Sequence, residues 1–266
     1  MVALLLTLPS KAYLTEIATV IDVDAIHYAH TQLEIFLAEG LQEMLLARYQ
    51  ELNVEQAYEA TADSIAQRSL KTIVLHYLML IDSEEHARVM IEQCYTQFST
   101  ANNMTDVMSA FKSLVHSPLA LAEGYKERAL TAFYDKWKHE SLVVNQWLNL
   151  QATVPQVSTL DKVKALMTHD CFSMTNPNKV RALIGGFAQN LVAFHQLSGE
   201  GYAFLAEQVI LLNASNPQIA ARIITPLTRW KKYDPERQKL MRHYLTEIKQ
   251  TPNLSKDVYE IVSKSL

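Results

Sequence analysis

The side chains best placed to do chemistry are cations and amides at the starts of two helices. In SMTNPNKVRALIGGF, residues 173–187, Asn176 stands just before Pro177. An asparagine oxygen there accepts a free backbone N–H, and proline at the first helical position loses nothing by lacking one. Lys179 and Arg181 follow at once. They fall at the positive end of the helix dipole, where acids are favoured by about 0.3–1 kcal/mol. A sequence shaped for stability alone would carry glutamate there. Two accounts stay open: an acid elsewhere neutralises the cations, or they serve a ligand. The pattern recurs 40 residues on in SNPQIAARIITPL, where Asn216-Pro217 is followed by Gln218 and Arg222. Such a set can hold carboxylates or peptide carbonyls, because arginine donates a fork of hydrogen bonds. It cannot hydrolyse a bond unaided.

Other motifs are weaker. His27, His30 and Glu34 have metal-ligand spacing on a helix, but no further acid or histidine motif completes a site. The plainer reading is two partly exposed histidines pairing with Glu34. His139-Glu140 begins an H-E-x-x-H pattern, yet Val143 stands where the second zinc ligand belongs. His76 lies in an apolar run and reads as a hydrogen-bonded core histidine. No nucleophile elbow, phosphate-binding loop, dinucleotide glycine pattern or Cys/His cluster occurs. The expectation is no catalytic residue, metal ligand or cofactor in the chain.

The elements that hold these residues are helices. The chain has 266 residues, 49% hydrophobic and 20% charged, which suits a well-cored protein. Only six glycines occur, too few for the turns of a β-rich chain this long. Helical periodicity marks stretches at 24–49, 61–81, 83–98, 103–118, 119–136, 140–152, 159–169, 173–187, 202–213, 215–230, 234–250 and 254–266. In the first, Ile26, Leu33, Phe36, Leu37, Leu41, Met44 and Leu45 form one apolar face. Val180, Leu183, Ile184 and Phe187 form another, opposite Asn178 and Arg181. Gln218, Arg222, Thr225 and Arg229 make a polar stripe, and Pro226 should kink or end its helix. The recurring Asn-Pro start fits a two-helix repeat of the HEAT or armadillo sort. The fold expected is all-α, a superhelix of stacked antiparallel helix pairs forming one domain over residues 1–266.

The net charge of −4, with no strong basic cluster, argues against a nucleic-acid surface. Two cysteines without a C-x-x-C motif suit a reducing compartment. No apolar run approaches the ~18 residues of a membrane span. The opening MVALLLTLPS lacks a basic n-region and a small-residue cleavage site. It reads as the tail of a helix stopped by Pro9, in a chain that begins inside something larger.

Several strings together carry a resemblance: ANNMTD (101–106), FYDKWKHESLVVNQWLNLQAT (133–153), FSMTNPNKVRALIGGFAQN (172–190), SNPQIAARIITPL (215–227) and KKYDPERQKLMR (231–242). The sequence resembles, along essentially its whole length, the C-terminal helical domain of the bacterial aminopeptidase N family, zinc-dependent alanyl aminopeptidases. The resemblance implies a non-catalytic C-terminal part of a larger, monomeric, cytoplasmic enzyme that releases N-terminal amino acids from peptides. Zinc, its H-E-x-x-H helix and the strand that binds the substrate amine would all lie in the preceding domains. The partners implied are the catalytic domain of the same polypeptide and the peptide substrate, with no nucleic acid and no membrane. The domain would cap the active-site cavity, limit access and help position the peptide, with Arg181, Gln218 and Arg222 lining the cavity. Lys179 stands where members of the family commonly carry arginine. The alternative is a stand-alone helical-repeat scaffold that binds a protein or an acidic peptide.

Overall fold

The computed structural model describes residues 2–54 and 56–266. Among them every regular element is helical, apart from one isolated bridge between Ile21 and Tyr233. In chain order the first half holds α1 (Val2–Leu6), α2 (Lys11–Ile17), α3 (Val23–Gly40), α4 (Gln42–Leu52), α5 (Ala62–Leu78), α6 (Glu84–Thr100), α7 (Met104–Val115) and α8 (Glu123–Trp137). The second holds α9 (Ser141–Ala152), α10 (Thr159–Met167), α11 (Pro177–Val180), α12 (Leu191–Phe194), α13 (Glu200–Ser215), α14 (Pro217–Ile223), α15 (Thr225–Thr228), α16 (Pro235–Gln250) and α17 (Lys256–Ser265). The expected all-α class is what the chain adopts. Packing divides it into two units: Met1–Ser10 with Tyr28–Lys136, and Lys11–His27 with Trp137–Leu266.

In the first unit α4 packs on α5, and α6 on α7. Thr61 caps α5 by accepting from the Ser64 N–H, and Asn103 caps α7 by accepting from that of Asp106. The core is aromatic: Phe111 stacks on Phe133 with ring centroids 4.5 Å apart, and Phe98 stacks on Phe111 at 5.4 Å. Tyr77 ties α1 to α5 by donating to the Leu6 carbonyl at 2.6 Å. One expectation fails here. The stretch 24–49 is two helices, because α3 ends at Gly40, where glycine is the least favoured ordinary residue in a helix interior, and α4 resumes at Gln42. The expected apolar face is only partly inward: Leu33, Phe36 and Met44 are 45, 70 and 72% exposed. Leu45 is buried as expected, and so are Ala38 and Tyr49, which that face did not include.

In the second unit the helices are shorter and more often interrupted. As expected, Pro226 marks a break: α14 stops at Ile223 and α15 restarts with proline in its first turn. Gly199 takes φ +76°, a conformation open to glycine, and α13 starts from it. A Cβ on Gly201 would lie 2.3 Å from the Phe194 carbonyl oxygen, so only glycine lets α13 approach α12 this closely.

At the centre of this unit lies a polar network that periodicity does not reveal. His195 is buried, with Nδ1 2.9 Å from the Tyr202 hydroxyl and Nε2 3.1 Å from that of Tyr233. A neutral imidazole suits both, since one nitrogen donates and the other accepts. The His195 carbonyl accepts from Arg237 Nε at 2.7 Å. Arg237, itself buried, then reaches Asp234 Oδ2 at 2.9 Å and Asp24 Oδ2 at 2.8 Å. Burial, aided by the nearby Arg237 cation, pushes His195 down to about 3.

The folded value lies below the unfolded 6.5, so the unfolded chain binds the extra proton. The resulting stability is complete above about pH 6.5 and is lost as pH falls toward 3. Urea titrations at pH 7 and pH 4 should differ by roughly 3 kcal/mol through this residue alone. The His195→Asn variant, whatever its own stability, should show a pH slope shallower by that amount.

Candidate functional site

Arg181 is held by a local sequence that starts a helix and then widens it. Asn176 Oδ1 accepts from the N–H groups of Asn178 at 3.0 Å and Lys179 at 3.4 Å, as its position predicts. After Val180 the chain enters a π-turn over Arg181–Gly185, in which the Gly186 N–H reaches back five residues to the Arg181 carbonyl. The Ala182 carbonyl in this turn is met by Asn149 of α9, whose Nδ2 donates to it at 3.1 Å. Gly186 makes the space: a Cβ there would lie 2.5 Å from that same Nδ2. Val180, Leu183, Ile184 and Phe187 are all fully buried, so the apolar face faces the core as expected.

With that face fixed, Arg181 projects to the surface. Its Nε lies 3.3 Å from the Pro177 carbonyl, and its guanidinium also bonds Asn178 Oδ1. Lys179 donates to the Cys171 carbonyl. Neither cation pairs with an acid among the described residues. Gln218 and Arg222 are exposed on α14, whose cap Asn216 accepts from the Ile219 N–H at 3.2 Å. Thr225 and Arg229 are exposed too, so the polar stripe is a solvent face. Helix α14 packs against the π-turn. The structure therefore puts Arg181, Gln218 and Arg222 on two touching elements, with both guanidinium groups clear of carboxylates among the described residues. This arrangement can receive carboxylate or carbonyl oxygens, and it presents no nucleophile or proton carrier.

The histidine motif resolves differently. His30 Nδ1 lies 3.1 Å from Glu34 Oε2, and His30 Nε2 lies 3.1 Å from the Pro9 carbonyl. The other Glu34 oxygen is 2.9 Å from His76 Nε2, while His27 Nδ1 sits 3.0 Å from Lys11 Nζ. His76 is thus not a core histidine: its side chain is 41% exposed and faces an acid 42 residues away. Nothing local in sequence announces that pairing. Among the described residues no group of three histidines, cysteines or acids is placed to hold a metal ion.

Fold and site together define an all-helical chain that presents Arg181, Gln218 and Arg222 at the surface of two touching elements. The family model described as "Domain of unknown function (DUF3458_C) ARM repeats" matches residues 1–266, and the chain belongs to that family. Aminopeptidase N of Escherichia coli (strain K12) is 40% identical over 264 residues, covering 98% of this chain and 29% of its own length. Aminopeptidase N of Haemophilus influenzae is 37% identical over 99% of this chain and 29% of its own. The crystal structure of Legionella pneumophila aminopeptidase A in complex with aspartic acid superposes with a TM-score of 0.88 at 30% identity, over 99% of this chain and 31% of that one. The chain thus spans about three-tenths of the length of these relatives, and in the aminopeptidase N sequences the match falls in the C-terminal part.

The π-turn is directly testable. Gly186→Ala should push the Asn149 amide off the Ala182 carbonyl and cost about 1–2 kcal/mol in chemical denaturation. Asn149→Ala should cost a similar amount, and the double variant little more than either single one.

Proposed function

We propose that this chain is the non-catalytic C-terminal part of a zinc aminopeptidase that releases N-terminal amino acids from peptides. The observation that carries the reading is the identity to aminopeptidase N over almost all of this chain but only 29% of that relative. Zinc and the bond-breaking groups then belong to the rest of the polypeptide. The parent is monomeric and cytoplasmic, and the catalytic domain of the same polypeptide is the partner of this module.

Within that enzyme the module closes the substrate chamber, limits access to it and helps orient the peptide. Arg181 and Arg222 offer guanidinium groups clear of carboxylates among the described residues, and Gln218 adds an amide between them in sequence. Peptide carbonyls and a terminal carboxylate are the groups such donors recognise. The anchoring of Arg181 on Asn178 and Pro177 limits its freedom before substrate arrives, which lowers the entropy lost on binding.

Two measurements test this. An immunoblot of source cells, with an antibody raised against this chain, should show a band several times larger than 30.2 kDa. A band at the fragment's own size would make the chain a stand-alone scaffold for a protein or acidic peptide. In the full polypeptide, Arg181→Ala and Arg222→Ala should each raise KM for short peptides roughly tenfold and leave zinc content unchanged. Unaltered kinetics in both variants would remove these arginines from substrate handling.

A further inference from the structure

A pocket of about 460 Å³ opens in the first unit, between the turn after α4, the first half of α5 and the α6–α7 junction. Tyr58, Arg68, Lys71, Gln97, Asn103 and Asp106 are among its walls. Its floor is built from buried polar groups: Lys71 and Asp106 are 7 and 6% exposed, and Gln97 only 3%. Lys71 Nζ donates to Asp106 Oδ2 at 2.5 Å and to no other described acceptor. Gln97 is fixed on both sides, accepting from the Tyr49 hydroxyl at 2.9 Å and donating to the Asp106 carbonyl at 3.0 Å.

This leaves an imbalance. An ammonium group carries three N–H donors, and a buried one ordinarily spends them all. Lys71 spends one. Arg68 has five donors and makes no hydrogen bond or ion pair with any described residue; its guanidinium lies 5.1 Å from the centre of the Tyr58 ring. Cation–π contact with the ring leaves the guanidinium N–H edges free. Among the described lining residues the one carboxylate, Asp106, does not cancel this surplus of donors. Asp106 Oδ2 is taken by Lys71 and, at 3.3 Å, by Asn103 Nδ2, while Oδ1 is closed off from solvent and has no hydrogen-bond partner among the described residues, so it takes up none of the spare N–H groups.

We propose that this pocket is a binding site for a small organic carboxylate. Two planar oxygens match the fork of Arg68 and the spare N–H groups of Lys71. Among the described lining residues two cations face one acid, which suits a monoanion better than a dianionic phosphate. The volume exceeds the roughly 30 Å³ of a single water many times over and admits an acid of several carbons. The site is built from residues of the first unit alone, whereas Arg181, Gln218 and Arg222 belong to the second, and it does not depend on the proposed enzyme.

The test is an NMR titration of the ¹⁵N-labelled chain with L-lactate and with acetate, each to about 20 mM, a range that detects millimolar dissociation constants. Inorganic phosphate serves as the comparison anion. Saturable shifts of the Gln67, Lys71, Asn102 and Asn103 amides with either carboxylate are expected. Arg68→Gln, on a half-buried side chain outside the floor network, should keep the fold and weaken binding about tenfold or more. No saturable shift with either carboxylate, saturation by phosphate alone, or undiminished binding in Arg68→Gln would each overturn the proposal.

Discussion

Short helices leave more backbone groups unpaired than long ones, and the second unit depends on how those groups are met. Every helix begins with four free N–H groups and ends with four free carbonyls. A helix of four residues, such as α12, therefore satisfies almost none of its own polar backbone. Asparagine amides supply much of what is missing. Asn190 caps α12 by accepting from Val192 and Ala193, and its other end donates to the Ala152 and Val154 carbonyls. Asn213 accepts from the Ser255 N–H and donates to the Asn253 carbonyl, joining α13 to the start of α17. Asn149 supplies only a donor, to the Ala182 carbonyl in the π-turn that carries Arg181. An amide has a donor and an acceptor at one end, so a single side chain can start one helix while fastening the end of another. The position of the exposed arginine is thus set by asparagine amides, Asn176 at the start of its helix and Asn149 across the π-turn.

The parts of this scheme that are local in sequence could be read from it. Asn176-Pro177 and Asn216-Pro217 announce their helix starts because cap and first-turn proline are neighbours along the chain. The stripe at Val180, Leu183, Ile184 and Phe187 follows from helical period alone. The long-range pairings could not be read. Asn149 and Gly186 are 37 positions apart, and neither residue looks unusual where it stands. The π-turn widens a helix by one residue without breaking the apolar pattern, so periodicity passes over it. Gly40 failed in the other direction: one weak residue inside a convincing apolar pattern stands where α3 ends, and Phe36 and Met44 of that pattern lie exposed on either side of it.

Charge at the helix start was the most unusual local feature of the sequence, and the structure narrows its meaning. An acid near Arg181 or Lys179 would have made the oddity a matter of stability. Their donors go to Asn178, Pro177 and Cys171 instead. The positive end of a helix and a guanidinium clear of carboxylates then add rather than cancel, a combination that favours electron-rich ligands. The second arginine lies on a helix that touches the first, which no spacing rule specifies.

Perturbed titration is often taken as a mark of catalysis, and this chain shows why geometry must come first. His195 is the most strongly shifted histidine resolved, yet both ring nitrogens already face tyrosine hydroxyls and its ring stacks on Tyr233 at 4.6 Å. Tyr233 is itself pushed up to about 12, mainly by burial. A histidine that must stay neutral, beside tyrosines that must stay protonated, has no proton to exchange near neutral pH. Arg237 closes the same network onto Asp24 and Asp234, so its charge is spent inside the fold. The groups whose chemistry is most altered are therefore the least available to a substrate. Arg181, Gln218 and Arg222, by contrast, lie at the surface and take no part in that network.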